Sequence, residues 1–195
     1  PLLYLTAAIS GNLFIFKVIL AFWNLITVYG FWKLVKSLFP NNKLLQNIST
    51  IIFGIFTTLP LFEGNTANAE LFMISPVIFA IWILISKKND FKNTFIAGLL
   101  FSIAALFKIP AAFDIFGIIV FWLIFTKLKI KDIKDFVVKS LFLSMGFVTP
   151  ILLTFVWYYF GGSFKEYLIA AFLQNFGDVS SWRPVTNVLT FFKKN

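Results

Sequence analysis

The sequence predicts an all-α protein, a polytopic bundle of about six transmembrane helices with one further helix at the outer membrane surface. Hydrophobic residues make up 59% of the 195-residue chain and charged residues 13%, and that charged share is about half the usual value for soluble domains. The mean hydropathy is +0.90. Apolar stretches close to the ~20 residues that cross a bilayer recur along the chain, and lysines concentrate in every second gap between them.

Six stretches are predicted to span the membrane, near residues 13–32, 44–62, 71–86, 91–109, 111–126 and 137–160. The first contains a single charge, Lys17, and the fifth carries Asp114 near its start. The fourth contains Gly98 and Ser102, a spacing of small residues that is typical of helix packing in membranes. We therefore expect the fourth span to contact another helix through this pair.

The last span and the segment after it differ in character. The span at 137–160 is long enough to tilt, and Gly146 with Pro150 predicts a kink. Gly161 and Gly162 should end the helix. Apolar residues then recur at helical spacing, which predicts an outer amphipathic segment over 164–178.

The gaps between spans predict the orientation. One set of alternate gaps contains Lys33, Lys36, Lys43, Lys87, Lys88, Lys92, Lys127, Lys129, Lys131, Lys134 and Lys139. The other set contains acidic residues, with Lys108 as its cation before the C-terminal tail. Because cytoplasmic loops are rich in lysine and arginine, we expect a multi-pass protein of the inner or plasma membrane. The loop 63–70 and the C-terminal tail would then be extracytoplasmic.

Several classes of function are excluded by composition. The chain has no cysteine and no histidine, which removes thiolate zinc sites, cysteine nucleophiles and imidazole bases from it. The net charge of +9 lies in the gaps between spans, so we expect no nucleic-acid partner. No ligand spacing demands a metal, although the carboxylates could recruit a divalent cation. The chain begins at Pro1 without a signal-peptide pattern, so we expect residues 1–195 to be a single transmembrane domain within a longer polytopic protein.

The loop 63–70 is the densest polar cluster at a predicted membrane boundary. It contains Glu63, Asn65, Asn68 and Glu70. One interpretation is a solvated turn in which Asn68 caps the next helix and Glu70 complements its dipole. The other is a site for a polar head group, because polar residues at membrane depth are often functional.

Lys108 is the second candidate. It is a cation on the side that the lysine pattern predicts to be outer. Its amine could reach the interface or pair with Asp114, one turn further on. Alternatively it could contact an anion, for which a phosphate at the outer leaflet is the obvious candidate.

Three segments occur in a recognisable order: PLLYLTAAISGNLFIFKV, EGNTANAELFMISP and GLLFSIAALFKIPAAFD. Together they resemble the bacterial membrane glycosyltransferases of family 39 type, which have the GT-C fold and are related to protein O-mannosyltransferases and lipid A aminoarabinose transferases. The later AAFLQNFGDVSSW resembles the outer segment of the same family. The resemblance extends over nearly the whole chain.

The resemblance implies an enzyme that transfers a sugar from a polyprenyl-phosphate donor to a glycan, lipid or protein acceptor on the extracytoplasmic side. It implies a catalytic acidic residue upstream of Pro1. Our hypothesis for the residues present is that Lys108 contacts the donor phosphate while Glu63, Asn65, Asn68 and Glu70 shape the donor-binding pocket. No cofactor is implied. Two other functions remain open from the residues alone, a transporter or lipid flippase and a non-catalytic membrane subunit.

Overall fold

The computed structural model describes residues 13–59, 68–86, 90–126 and 130–173. Every regular element in these ranges is helical, so the predicted all-α class is confirmed for them. The helices are α1 (Leu13–Leu38), α2 (Lys43–Thr58), α3 (Ala69–Ser86), α4 (Phe91–Phe107), α5 (Ala112–Phe125), α6 (Ile130–Phe160) and α7 (Phe164–Leu168). A 3-10 turn, Ile109–Ala111, precedes α5, and a π-helical turn, Ile169–Leu173, follows α7.

Side-chain caps set the first residues of α2 and α4. The Asn42 side chain accepts a hydrogen bond from the Leu45 N–H at 3.0 Å, and the Asp90 carboxylate accepts one from the Asn93 N–H at 2.8 Å. Both satisfy a backbone donor that the first helical turn leaves without a partner. The observed starts lie within one residue of the predicted ones.

Two helices are longer than predicted at their lysine-rich ends. α1 continues to Leu38, so Lys33 and Lys36 lie in its last turns rather than in a gap. α6 begins at Ile130 instead of residue 137. Lysine is a good helix former, and in the last turn of α1 it also complements the helix dipole. The charges that end an apolar stretch therefore do not end the helix.

In the part of the chain that the structure describes, three helices are long and apolar enough to cross a membrane, namely Phe14–Leu38, Ala69–Ser86 and Ile130–Phe160. This is compatible with a membrane protein. The other three predicted spans correspond to α2, α4 and α5, which have 16, 17 and 14 residues. At 1.5 Å per residue these helices are about 21 to 26 Å long, short of the ~30 Å hydrocarbon core. The count of six spans therefore stays a prediction.

The chain divides into two compact units, Pro1–Leu152 and Leu153–Asn195. In the first unit α2 folds back antiparallel on α1. The Asn24 amide donates to the Thr57 carbonyl oxygen at 3.3 Å, and the Phe31 and Phe53 rings stack with centroids 4.1 Å apart. Later residues of α1 thus meet earlier residues of α2, as in a helical hairpin.

The central helix of the first unit is α3, which runs parallel to α1 and antiparallel to α4. Near its start the Phe72 ring lies 5.6 Å from Trp23 of α1 and 5.6 Å from Phe107 at the end of α4. Near its end Trp82 lies 5.8 Å from the amine of Lys33. The sequence of α3 is apolar on every side, as a helix enclosed by neighbours requires.

α4 and α6 run parallel and touch through glycine. A Cβ added to Gly98 would lie 3.0 Å from the Gly146 Cα, and one added to Gly146 would lie 3.1 Å from the Gly98 Cα. Ser102, one turn after Gly98, is fully buried. The predicted packing role of the Gly98–Ser102 pair is thereby confirmed. Around this crossing lies the core cluster, formed by Ala80, Ala97, Phe101, Ile115 and Leu143.

In the second unit the chain turns after α6 and returns to it. α6 ends at Phe160, where the predicted break occurs, and Gly162 adopts a left-handed φ of 69° that glycine accepts without steric cost. Tyr167 then stacks on Tyr158 with centroids 4.3 Å apart. The described part of the predicted segment 164–178 is helical and consists of the five-residue α7 and a π-helical turn up to Leu173; residues 174–178 lie outside the described residues.

Candidate functional site

Two helix ends place the candidate charges side by side. Glu70 lies in the first turn of α3, and Lys108 is the residue at which α4 ends, with its N–H donating to the Ala104 carbonyl oxygen at 3.0 Å. A carboxylate is favourable at a helix N-terminus and an ammonium at a C-terminus. Because α3 and α4 are antiparallel, these two ends are neighbours, and each charge complements its own helix dipole.

The Lys108 amine forms an ion pair with Oε1 of Glu70 across the two helices. The side chains are 40% and 39% exposed, respectively, so the pair lies at the surface of the bundle. The second carboxylate oxygen, Oε2, is buried and has no hydrogen-bond partner among the described residues. An ammonium offers three N–H donors. Lys108 therefore retains donors for a further group, whereas the acceptor Oε2 is enclosed by the protein.

Three aromatic rings pack together below the ion pair. Trp23 of α1 lies 5.6 Å from Phe72 and 6.0 Å from Phe107, measured between ring centroids. Phe72 follows Glu70 by two residues, and Phe107 precedes Lys108 directly. The ring cluster therefore connects α1 to the two helix ends that carry the charges.

Of the five predicted binding residues, the structure brings Glu70 and Lys108 into contact. Asn68 lies immediately before α3, where its carbonyl oxygen accepts a hydrogen bond from the Leu71 N–H at 3.2 Å. Glu63 and Asn65 lie outside the described residues. The expected alternative, in which Lys108 pairs with Asp114, is wrong. The carboxylate that the amine contacts belongs to Glu70 of the neighbouring helix.

Sequence reasoning missed Trp23. Its indole Nε1 is buried without a hydrogen-bond partner in the part of the chain that the structure describes. A buried tryptophan N–H usually finds a partner, so this donor is an unsatisfied polar group on a ring that packs on Phe72 and Phe107. A tryptophan within a predicted span rather than at its end was the available signal, because tryptophan concentrates at membrane interfaces.

Within the described ranges, no group of three or more acidic side chains is arranged to hold a metal ion. The site offers one carboxylate and one ammonium instead. A carboxylate accepts hydrogen bonds and an ammonium donates them, so these two groups can bind through hydrogen bonds and charge.

Comparison with known proteins identified no relative of this chain. No family model matches the chain, and neither the curated proteins nor the solved structures contain a significant match to it.

Proposed function

We propose that this chain is part of a membrane glycosyltransferase that transfers a sugar from a polyprenyl-phosphate donor to an acceptor on the extracytoplasmic side. The Glu70–Lys108 ion pair is the observation that carries the proposal. It joins two of the segments whose sequences resemble family 39 type glycosyltransferases, EGNTANAELFMISP, which contains Glu70, and GLLFSIAALFKIPAAFD, which contains Lys108. Segments that are 38 residues apart along the chain thus meet at one candidate site.

In the proposed topology the chain crosses the membrane six times, and the ion pair faces the extracytoplasmic side. Contacts between helices support this arrangement, because α1 and α3 run parallel while α2 and α4 run against them. Lys33 and Lys36 then lie at one end of the bundle, and Glu70 with Lys108 lies at the other. That separation agrees with the rule that lysines favour the cytoplasmic side.

The role proposed for Lys108 uses the N–H donors that remain beyond its bond to Glu70, and these bind the phosphate of the donor. Oε2 of Glu70 is buried, so the role proposed for Glu70 is to shape the donor-binding pocket by holding the Lys108 amine in place. During transfer the acceptor hydroxyl gives its proton to a base, for which the resemblance implies an acidic residue upstream of Pro1. The acceptor oxygen bonds to the anomeric carbon while the bond from that carbon to the phosphate oxygen breaks. Lys108 stabilises the negative charge that the departing lipid phosphate takes up. Because one oxygen of Glu70 is held by Lys108, we assign Glu70 to binding rather than to proton abstraction.

The first test is Lys108→Ala in the full-length protein, assayed in membranes with isotopically labelled polyprenyl-phosphate hexose and pentose donors. We expect transfer to fall by about 10-fold or more, which is the scale for losing one donor to transition-state charge. Insertion, measured by protease protection, should not change. The matched control is Lys92→Ala, an exposed lysine at the opposite end of the same helix, which should retain wild-type transfer.

A charge exchange separates recognition from a purely structural pair. Glu70→Lys combined with Lys108→Glu restores an ion pair between the same helices, although each charge then opposes its helix dipole. If the pair only held α3 against α4, the exchange would recover activity that the single variants lose. We expect it to remain inactive, because the ammonium would no longer occupy the phosphate position. Transport of a solute by the full-length protein, without any sugar transfer, would contradict the proposal and favour a transporter instead.

A further inference from the structure

At the lysine-rich end of α1, two ammonium groups lie over aromatic rings. The Lys33 amine is 5.4 Å from the Tyr29 ring centroid and 5.8 Å from those of Trp32 and Trp82. The Lys36 amine is 4.9 Å from the Trp32 centroid. All four distances lie within the ~6 Å range of cation–π attraction. We call these five residues the lysine–aromatic cluster; it joins α1 to α3.

The charges of this cluster are not neutralised by the described part of the chain. Neither Lys33 nor Lys36 has a carboxylate partner within the described residues, whereas Lys108 at the other end has Glu70. Residues three apart on a helix lie on the same side, so the two amines are neighbours. The rings hold them in place and leave their outward N–H donors for an anion.

An exposed apolar face leads along α1 to the cluster. Phe22, Leu25, Ile26 and Tyr29 are 64%, 65%, 49% and 53% exposed, respectively. From Phe22 through Ile26 and Tyr29 to Lys33, the steps alternate between four and three residues, which keeps one helix face. Eleven residues rise about 16 Å, close to half of the ~30 Å hydrocarbon core. The face therefore has the length of one lipid leaflet and ends at two cations.

We propose that the lysine–aromatic cluster binds the head group of an anionic phospholipid whose acyl chain lies along this face of α1. The amines bind the phosphate, and Trp32 and Trp82 occupy the head-group level that tryptophan prefers. The adjoining apolar face selects a phospholipid over a free phosphate, which could use only the lysines. This site lies at the opposite end of the bundle from the Glu70–Lys108 pair, and the inference does not depend on the glycosyltransferase proposal.

The test measures lipid binding to the full-length protein in neutral detergent by native mass spectrometry. The probes are dioleoyl phosphatidylglycerol and dioleoyl phosphatidylcholine. We expect wild-type protein to prefer phosphatidylglycerol, and Lys33→Gln/Lys36→Gln to bind it about 30-fold more weakly, because each basic residue near an anionic lipid contributes about five-fold. The control double variant, Lys92→Gln/Lys134→Gln, removes two exposed lysines outside the cluster and should keep the preference.

Three results would overturn the proposal. An equal loss in both double variants would show general attraction to positive charge rather than a site. Full displacement of the lipid by millimolar inorganic phosphate would show that the apolar face makes no contribution. The third result needs no variant: in wild-type protein, brominated phosphatidylglycerol should quench tryptophan fluorescence more strongly than brominated phosphatidylcholine, and equal quenching would contradict the site.

Discussion

The two parallel helix pairs, α1 with α3 and α4 with α6, are held together by different parts of the chain. Between α1 and α3 the contacts are made by side chains: Gly30 faces the outer carbons of the Phe79 ring, and Trp23 packs on Phe72. Between α4 and α6 the backbones themselves touch, at Gly98 and Gly146. The first contact can adapt by rotating a ring, whereas the second can change only if a helix moves.

This difference bears on the candidate site. α4 ends at Lys108, so the glycine crossing on α6 helps to fix the helix that carries the amine. α1 supplies Trp23 to the same region through adaptable aromatic contacts. Small residues that let backbones approach closely are a common means of helix packing in membranes, where burial away from water no longer drives association.

The largest loss in the free energy of unfolding is expected from Gly98→Ala and Gly146→Ala. A Cβ at Gly98 would meet the Phe147 amide nitrogen at 2.9 Å, and one at Gly146 would meet the Phe95 carbonyl carbon at 3.0 Å. Since the neighbours are backbone atoms, the helices must separate, at a cost of about 3 kcal/mol. The measurement is the midpoint of SDS-induced unfolding in mixed micelles, followed by circular dichroism.

A smaller effect is expected from Gly30→Ala. Its Cβ would lie 2.8 Å from an outer carbon of the Phe79 ring, and the ring can turn away. Repacking of the ring costs about 1 kcal/mol of stability. Alanine is a better helix former than glycine by about 1 kcal/mol, which offsets that cost. The unfolding midpoint should therefore stay close to that of the wild type. A loss as large as that of Gly98→Ala would erase the distinction between the two helix pairs.

The smallest change, and one of opposite sign, is expected from Gly117→Ala. No atom lies within 4 Å of the added Cβ at this position of α5. Alanine should then stabilise the helix by about 0.5 to 1 kcal/mol through its lower backbone entropy cost. The same unfolding experiment serves as the reference for the other glycines. Destabilisation by Gly117→Ala would mean that another part of the protein or another chain packs against this position.

Much of the fold follows from local signals in the sequence. Asn42 and Asp90 are good N-cap residues directly before apolar stretches, and the helices begin after them. Gly161 and Gly162 end α6 as expected. Lys33 and Lys36 were misplaced, because a count of apolar residues stops at a charge while the helical hydrogen bonds continue.

The candidate site could be predicted only in part. Helix directions imply that Glu70 and Lys108 lie at the same end of the bundle, but not that α3 and α4 are neighbours. Asp114 was the nearer carboxylate along the chain, yet tertiary packing places Glu70 against the amine. For the same reason, Gly146 was interpreted as a kink, because its contact with Gly98 depends on which helix lies opposite it.

The buried amide of Gln46 has a consequence for how the chain is assembled. Its Nε2 donates to the carbonyl oxygens of Phe39 at 2.7 Å and Pro40 at 3.3 Å, so the turn between α1 and α2 is closed by a residue of the hairpin itself. Nothing later in the chain is required to form these bonds. We therefore expect α1 and α2 to form their hairpin early during synthesis, so that α3 can dock on α1 as it emerges from the ribosome.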